Sequence, residues 1–185
     1  MNLADRIMQG EGQNTEFKKS LSLRREALEA LCAMMNADSA QGTVVFGVAP
    51  DGFICGIEPG NLDTAQRSLS QAIKTGFDPP VHFEIVTEEL EGKWVLILTA
   101  ERLRNVPYHE YDGRAWIRQG SADRQLTLAE KDCIRRNRDR ASHPGPWKCN
   151  RCGDYVLSFH ALELGDSGIR RDYSCDCGGE YWPCT

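Results

Sequence analysis

The chain has 185 residues, of which 41% are hydrophobic and 26% charged, a composition typical of a folded soluble protein. This length allows one full domain and one small module. The net charge of −5 argues against a protein that coats nucleic acid through bulk positive charge. No apolar run follows a basic start and no segment reaches the length of a membrane span, so we expect a cytoplasmic protein.

The first predicted element is a short strand that carries Glu16, Phe17 and Lys18. Side chains of a strand alternate between faces, so Glu16 and Lys18 share one side while Phe17 points into the core. Glu11 would lie about 16 Å from Glu16 on an extended chain, so the two carboxylates meet only if the chain folds back. The glycines and asparagine around this stretch permit such a turn.

Two carboxylates and a lysine that converge would suit a Mg²⁺ or Mn²⁺ ion holding a phosphodiester, with the lysine stabilising developing charge or orienting water. The alternative is a solvated turn followed by a half-exposed strand.

The sequence also contains two clusters of basic residues, and each could be either a binding patch or a solvated helix face. They comprise Lys18, Lys19, Arg24 and Arg25, and Lys131, Arg135, Arg136, Arg138 and Arg140.

Periodicity and turn residues predict the remaining elements in chain order. They are a helix over 23–35 capped by Ser22, a buried strand over 43–48 in a hairpin with 53–57, a helix over 61–77, strands over 81–88 and 93–100, a strand over 115–118, and a helix that starts at the capping box 127–130 and ends at 140. This order predicts a mixed α/β domain over residues 1–140. No phosphate-binding glycine loop is present, so ATP use is unsupported.

The eight cysteines are unevenly distributed. Cys32, Cys55 and Cys133 stand singly among apolar or helical residues and are expected to be buried thiols. The other five lie within residues 149–184, a crowding that indicates a metal site in a reducing compartment rather than a disulfide framework. We therefore predict a linker over 141–147 and a zinc-ribbon-like module over 148–185.

Four thiolates can close a tetrahedral Zn²⁺ site, and a module this small has too little core to fold without one. Cys149 and Cys152 have the spacing of a zinc knuckle, and they are the firm ligands. Cys175 and Cys177 are favoured for the other two places because glycines follow them. The open alternatives are Cys184 and His160.

Several stretches of the first domain stand in a characteristic order. They are Gly10-Glu11 with Thr15-Glu16-Phe17-Lys18; Asn36 through Gly42; Val45-Phe46-Gly47-Val48 with Asp51-Gly52 and Gly56-Ile57; Pro107-Tyr108 with Gly113; and Ile117-Arg118-Gln119-Gly120-Ser121. Together they resemble the Schlafen-type, Alba-like domain family over nearly all of residues 1–140. A single copy with a zinc ribbon would be a prokaryotic or phage member.

The resemblance implies an RNA-directed domain. Relatives with two copies form a clamp-like cleft and cleave tRNA or rRNA with three acidic residues and a divalent metal, whereas prokaryotic relatives are often attached to transcriptional regulators. Glu11 and Glu16 match the first two acidic positions of the family. The third acid of the family follows the Gly-Val of the central strand, where this chain has Ala49 and Pro50, so the nearest carboxylate is Asp51, at least one position late.

We therefore expect a divalent-metal-dependent endoribonuclease that acts on structured RNA such as tRNA. Its catalytic residues would be Glu11, Glu16 and Asp51 with Lys18 in support, and its nucleic-acid contacts Lys18, Lys19, Arg24, Arg25 and Arg118. The alternative is a non-catalytic DNA- or RNA-binding regulatory module. A homodimer would supply the missing half of a clamp.

Overall fold

The computed structural model of the chain describes residues 3–37, 39–103, 106–120, 122–142, 147–153, 155–156 and 179–183. The chain divides into two compact units, residues 1–127 and residues 128–185. The division falls before the helix Leu128–Ser142, whereas the boundary predicted from the sequence, residue 140, lies within that helix.

The first unit combines helices and short strands, as the mixed α/β prediction requires. Its helices are α1 (Leu3–Gln9), α2 (Arg24–Asn36) and α3 (Leu62–Gly76), with single 3₁₀ turns at Leu21–Leu23 and Pro59–Asn61. Its strands are β1 (Thr15–Lys18), β2 (Gln41–Phe46), β3 (Phe77–Asp78), β4 (His82–Leu90), β5 (Lys93–Glu101), β6 (Glu110–Tyr111), β7 (Trp116–Gln119) and β8 (Ala122–Gln125).

The main sheet has the strand order β1-β2-β5-β4 and is mixed. Strand β1 runs parallel to β2, with Glu16 opposite Val44, and the other pairs are antiparallel. The predicted turn between β4 and β5 is confirmed, because Glu91 and Gly92 both have positive φ angles of 52° and 73°. This conformation suits a two-residue hairpin loop.

The sheet has an apolar cluster on each face. One face packs against α2 and α3 through Val44, Phe46, Leu96 and Leu98, and the other packs against α1 through Phe17, Val45 and Val95. Alternate residues of β2 and β5 therefore serve opposite clusters, as the strand period of two requires. Because β1 pairs with β2 in the same sheet, each side chain of β1 also points to one of these two faces.

Helix α2 lies very close to β2. A Cβ atom added at Gly42 would stand 2.8 Å from the Cβ atom of Met34, a separation that real side chains essentially never show. Gly42 is therefore required by packing, and it has no need of a special φ angle.

The predicted start of α2 differs from the observed start. Leu23, and not Ser22, occupies the N-cap, and it makes no capping bond through its side chain. The hydroxyl of Ser22 instead lies 2.6 Å from that of Ser20. The reason is the 3₁₀ turn at Leu21–Leu23, which places Ser22 inside a helical turn rather than ahead of it.

The predicted strand over 53–57 is also wrong. This stretch makes only isolated bridges, Val48 with Ile54 and Ile57 with Trp94. Gly52 and Gly56 have φ angles of 86° and 81°, which interrupt an extended backbone. Cys55 in this loop is exposed and not buried as predicted.

The second unit, so far as it is described, contains a helix and a small sheet. Helix α4 covers Leu128–Ser142, and strands β9 (Trp147–Cys149), β10 (Tyr155–Val156) and β11 (Tyr181–Pro183) form an antiparallel sheet in the order β10-β9-β11. Cys133 on α4 is exposed, against the prediction of a buried thiol. Among the described helices of the chain, none has the length and apolarity needed to span a bilayer.

Candidate functional site

The chain reverses direction ahead of β1, as the sequence predicted. Gly10 has a φ of 80°, and the amide of Gly12 donates to the carbonyl of Thr15 at 3.0 Å. The reversal brings Glu11 alongside the strand, where its Oε1 accepts a hydrogen bond from the backbone N–H of Phe17 at 2.8 Å. The carboxylate of Glu11 therefore lies next to the backbone that carries Glu16.

Strand β1 separates its side chains between the two faces of the sheet. Phe17 is buried in the cluster on the α1 side. Glu16 and Lys18 share the other face, where Lys18 Nζ lies 2.6 Å from Glu16 Oε1 and both side chains are 15% exposed. The predicted alternation is thus confirmed, and the carboxylate and ammonium form a half-buried ion pair.

Arg118 of β7 completes this site. Its Nη2 donates to Glu16 Oε2 at 2.7 Å, its Nε to Asp123 Oδ1 at 2.8 Å, and its Nη1 to the Gly12 carbonyl at 3.0 Å. The side chain is only 3% exposed. Arg118 was expected to contact nucleic acid, but in this arrangement its guanidinium faces carboxylates and holds the site together.

The position of Arg118 follows from its neighbours in the fold. In the β7–β8 hairpin Arg118 is the register partner of Asp123, so the two side chains meet directly. Asn36, the last residue of α2, fixes the hairpin because its carboxamide donates to the carbonyls of His109 and Trp116, both at 2.8 Å. Sequence reasoning missed Asp123 and Asn36. The turn at residues 119–121 could have predicted a hairpin in which Asp123 lies opposite Arg118.

Opposing charges set the protonation of this cluster. Burial alone would raise the pKa of Glu16, but hydrogen bonds from Lys18 and Arg118 outweigh burial and hold that pKa below its usual value of 4.5. Burial opposes the charge of Arg118, yet Asp123 and Glu16 raise its pKa further. Both groups therefore stay ionised in the folded protein at neutral pH.

The three predicted acids are not gathered as a metal site. Asp51 Oδ1 accepts from the backbone N–H of Phe53 at 3.0 Å, within a turn whose Gly52 faces Ile7 on the α1 side of the sheet. Glu16 points to the opposite side, and both of its oxygens already pair with cations. No three Asp, Glu, His or Cys residues in the described part of the chain could hold a metal ion together. In this arrangement Glu11, Glu16 and Asp51 do not fit Mg²⁺ or Mn²⁺.

The basic residues that follow β1 divide into held and exposed side chains. Arg24 donates through Nη1 to the hydroxyl of Ser68 on α3. Lys19 is exposed, and Arg25 is 65% exposed with only a 3.3 Å contact to Glu29. Lys19 and Arg25 are consequently the cations of this segment that a large anionic ligand can reach.

A polar cleft of about 490 Å³ lies next to this site. It is lined by Gln13, Asn14, Ala37, Ser39, Ile117, Arg118 and Gln119. The Oδ1 atom of Asn14 is buried there with no hydrogen-bond partner among the described residues. The cleft therefore offers an unsatisfied acceptor among amide side chains and the Arg118 guanidinium.

In the second unit, Cys149 has the surroundings of a thiolate ligand. Its Sγ accepts the backbone N–H groups of Arg151 at 3.4 Å and Cys152 at 3.5 Å. The turn closes where Gly153, with a φ of 82°, donates to the Cys149 carbonyl. The remaining predicted ligands, Cys175 and Cys177 with the alternatives Cys184 and His160, lie outside the described residues.

Comparison with known proteins bears on the first unit. A family model described as Schlafen, AlbA_2 matches residues 11–127. No curated protein matches the sequence.

Two solved structures match part of the chain. The DIP2311 protein from Corynebacterium diphtheriae is 18% identical with a TM-score of 0.49, and the match covers 67% of this chain and 24% of that protein. The N-terminal domain of a RecG-related protein from Nitrosomonas europaea is 21% identical with a TM-score of 0.45, and the match covers 69% of this chain and 95% of that domain. The chain thus spans about a quarter of the Corynebacterium protein.

Proposed function

The chain belongs to the Schlafen, AlbA_2 family, and on that basis we propose that its first unit binds nucleic acid through the segment from Lys18 to Arg25. The observation that carries the proposal is the placement of exposed cations at the end of β1 and at the start of α2. Backbone phosphates are the groups that such cations neutralise in protein complexes with RNA or DNA.

Besides the exposed cations, the N-terminus of α2 is a second feature that favours binding of an anionic ligand. The first backbone N–H groups of a helix lack intrahelical partners and carry partial positive charge. Here the N-cap residue Leu23 supplies no side-chain bond, although the Arg24 N–H already donates to the Leu21 carbonyl. Arg24 and Arg25 add positive charge where the helix dipole disfavours it, and Glu26 in the same turn offsets part of that charge. A phosphate at this position would relieve both effects.

The test is the binding of labelled tRNA, single-stranded RNA and single-stranded DNA, measured by fluorescence anisotropy in EDTA over a range of salt. Replacing Lys19 and Arg25 together by alanine should weaken binding and reduce the slope of log affinity against log salt by about 0.7–0.9 per lost contact. The matched control is Arg67→Ala with Lys74→Ala on α3, which removes the same charge. Equal losses from both pairs, or no binding by the unaltered protein, would contradict the proposal.

The second candidate is the divalent-metal-dependent endoribonuclease implied by the resemblance. The observation in its favour is that Glu11 and Glu16 lie near each other, because Glu11 Oε1 accepts the N–H of Phe17, the residue after Glu16. A metal ion at Glu16 would require that carboxylate to release Lys18 and Arg118. End-labelled tRNA incubated in Mn²⁺, Mg²⁺ and EDTA tests it. Cleavage that needs metal and disappears in Glu16→Gln supports the activity, and intact tRNA under every condition argues against it.

For the second unit we propose a structural Zn²⁺ ion bound by Cys149, Cys152, Cys175 and Cys177. Backbone N–H groups directed at the Cys149 sulfur stabilise a thiolate, which is the form that binds zinc. The second pair of ligands rests on sequence spacing alone. Such an ion would stabilise a unit of this small size, for which a bound metal commonly supplies much of the folding free energy.

We also propose a homodimer. The sequence contains one copy of the family domain, and a second chain would supply the other half of a clamp-like cleft. One chain has a mass of 20.7 kDa, so light scattering at micromolar concentration distinguishes monomer from dimer. A monomeric mass with and without bound RNA would contradict the dimer.

A further inference from the structure

Phe53 presents its aromatic ring to solvent from a tightly held turn. The side chain is 63% exposed. Its backbone is fixed on both sides, because its N–H donates to Asp51 Oδ1 at 3.0 Å and its carbonyl accepts from the amide of Ala49 at 2.9 Å. The amide of Gly52 donates to the Ala49 carbonyl and closes the turn. The polar group of Asp51 thus positions an exposed aromatic residue.

Lys93 orients this ring. Its ammonium lies 4.8 Å from the ring centroid of Phe53, within the range of a cation–π contact, and donates to the carbonyl of Ile54 at 2.7 Å. The chain passes close by at Gly56, where an added Cβ would stand 2.9 Å from the Cβ of Lys93. Glycine at that position lets the lysine lie across the loop. One face of the ring is therefore bound by a cation while most of the ring stays in water.

The turn lies beside the basic segment. The amide of Gly47 donates to the Lys18 carbonyl at 2.8 Å, and the carbonyl of Gly47 accepts from the amide of Cys55 at 2.8 Å. Gly47 thus joins the end of β1 to the loop that carries Phe53. Phe53 is two positions before Cys55, a separation of at most about 7 Å along the chain. The ring of Phe53 therefore belongs to the loop that lies next to Lys18, the residue at which the basic segment begins.

We propose that Phe53, oriented by Lys93, stacks on an unpaired base of the nucleic-acid strand whose phosphates contact the Lys18–Arg25 segment. The inference rests on the nucleic-acid function proposed above and specifies a single-stranded ligand. Every base has a π-face, so stacking on an aromatic side chain tolerates different sequences. The bases of a duplex are stacked on one another, and the ring cannot reach their faces. The Lys93 ammonium also adds attraction for a neighbouring phosphate.

The test uses the full chain with single-stranded RNA, single-stranded DNA and duplex DNA, each carrying 2-aminopurine, a base whose fluorescence falls when it stacks. Phe53→Ala and Phe53→Leu should each weaken single-strand binding on the order of 10-fold and reduce the quenching. Phe53→Trp should retain both. The salt slope should not change, because no charge is removed. The control is Val86→Ala, which removes another exposed apolar side chain, 44% exposed, on β4.

The outcomes separate this inference from the broader function. Binding that Lys19→Ala with Arg25→Ala weakens but that Phe53→Ala and Phe53→Leu leave unchanged would overturn the stacking role alone. A loss of equal size for duplex and single strand, or a loss confined to RNA or to DNA, would overturn it too. Failure of the unaltered protein to bind any of the three nucleic acids would overturn both proposals. Circular dichroism of each variant confirms that the fold is intact.

Discussion

The Nη2 atom of Arg118 lies 2.7 Å from Oε2 of Glu16, although the two residues are 102 positions apart in the chain. The same guanidinium binds Asp123 and the carbonyl of Gly12. The chain reversal before β1 and the β7–β8 hairpin are thus held by one side chain. The carboxylate expected to bind a metal is instead part of a buried charge network.

Arg118→Ala should destabilise the first unit by about 3 kcal/mol, because it leaves the half-buried carboxylates of Glu16 and Asp123 without their shared cation. Chemical denaturation at neutral pH measures this loss. Arg67→Ala breaks an ion pair whose partners are largely exposed and should cost about 0–1 kcal/mol. Similar losses for the two variants would show that the buried network contributes little.

The ion pairs of Glu16 also predict a dependence on pH. The pKa of Glu16 is lower in the folded protein than its usual value of 4.5, so its contribution to stability is present above about pH 4.5 and is lost as the pH falls through the folded-state pKa. The stability difference between the unaltered protein and Glu16→Gln should therefore shrink as the pH falls below about 4.5. A difference that stays constant or grows on acidification would contradict this account.

Gly42→Ala should destabilise the protein by about 1–3 kcal/mol, because the new methyl group would overlap Met34 across the interface of α2 and β2. Thermal unfolding measures the effect. Gly60→Ala is the matched control, since a Cβ at that position meets nothing within 4 Å. Equal melting temperatures for the two variants would mean that α2 can move away from the sheet at little cost.

The zinc proposal predicts one zinc ion per chain by elemental mass spectrometry, and loss of that ion in Cys149→Ser and Cys152→Ser. Cys133→Ser, which alters an exposed thiol of the same unit, should keep the metal. Cys32 should not compete, because burial raises its pKa to about 12 and keeps it protonated. Protein that contains no zinc yet keeps its circular dichroism unchanged in EDTA would contradict the proposal.

Local patterns predicted much of the first unit. The alternation at Glu16, Phe17 and Lys18, the β4–β5 hairpin and the helix predicted over 61–77 each depend on neighbouring residues, and each is present, the helix as Leu62–Gly76. Helix α1 was missed because its seven residues provide only Leu3 and Ile7 as a buried face. Short amphipathic segments of this kind carry little periodicity.

The arrangement of the site could not be predicted from local sequence patterns, because it depends on contacts between residues that are far apart in the chain. The Glu16–Arg118 pair requires β7 to reach β1, and Asn36 on α2 directs that approach through the backbone of Trp116. Asp51 was expected to face Glu16, but Gly52 turns the chain toward the α1 side of the sheet. A shift of one residue at the end of a strand thus separated an acid from its expected partners.

The long interval between Glu16 and Arg118 also fixes an order of events during synthesis on the ribosome. The four strands of the main sheet are complete once residue 101 has been made, whereas Arg118 and Asp123 come later. At about 5–20 residues per second, the chain elongates for roughly 5–20 s after Glu16 is made before its guanidinium partner exists. During this interval Lys18 is the only one of its two cationic partners that has been synthesised. The charge network can therefore form only after all four strands of the main sheet have been made.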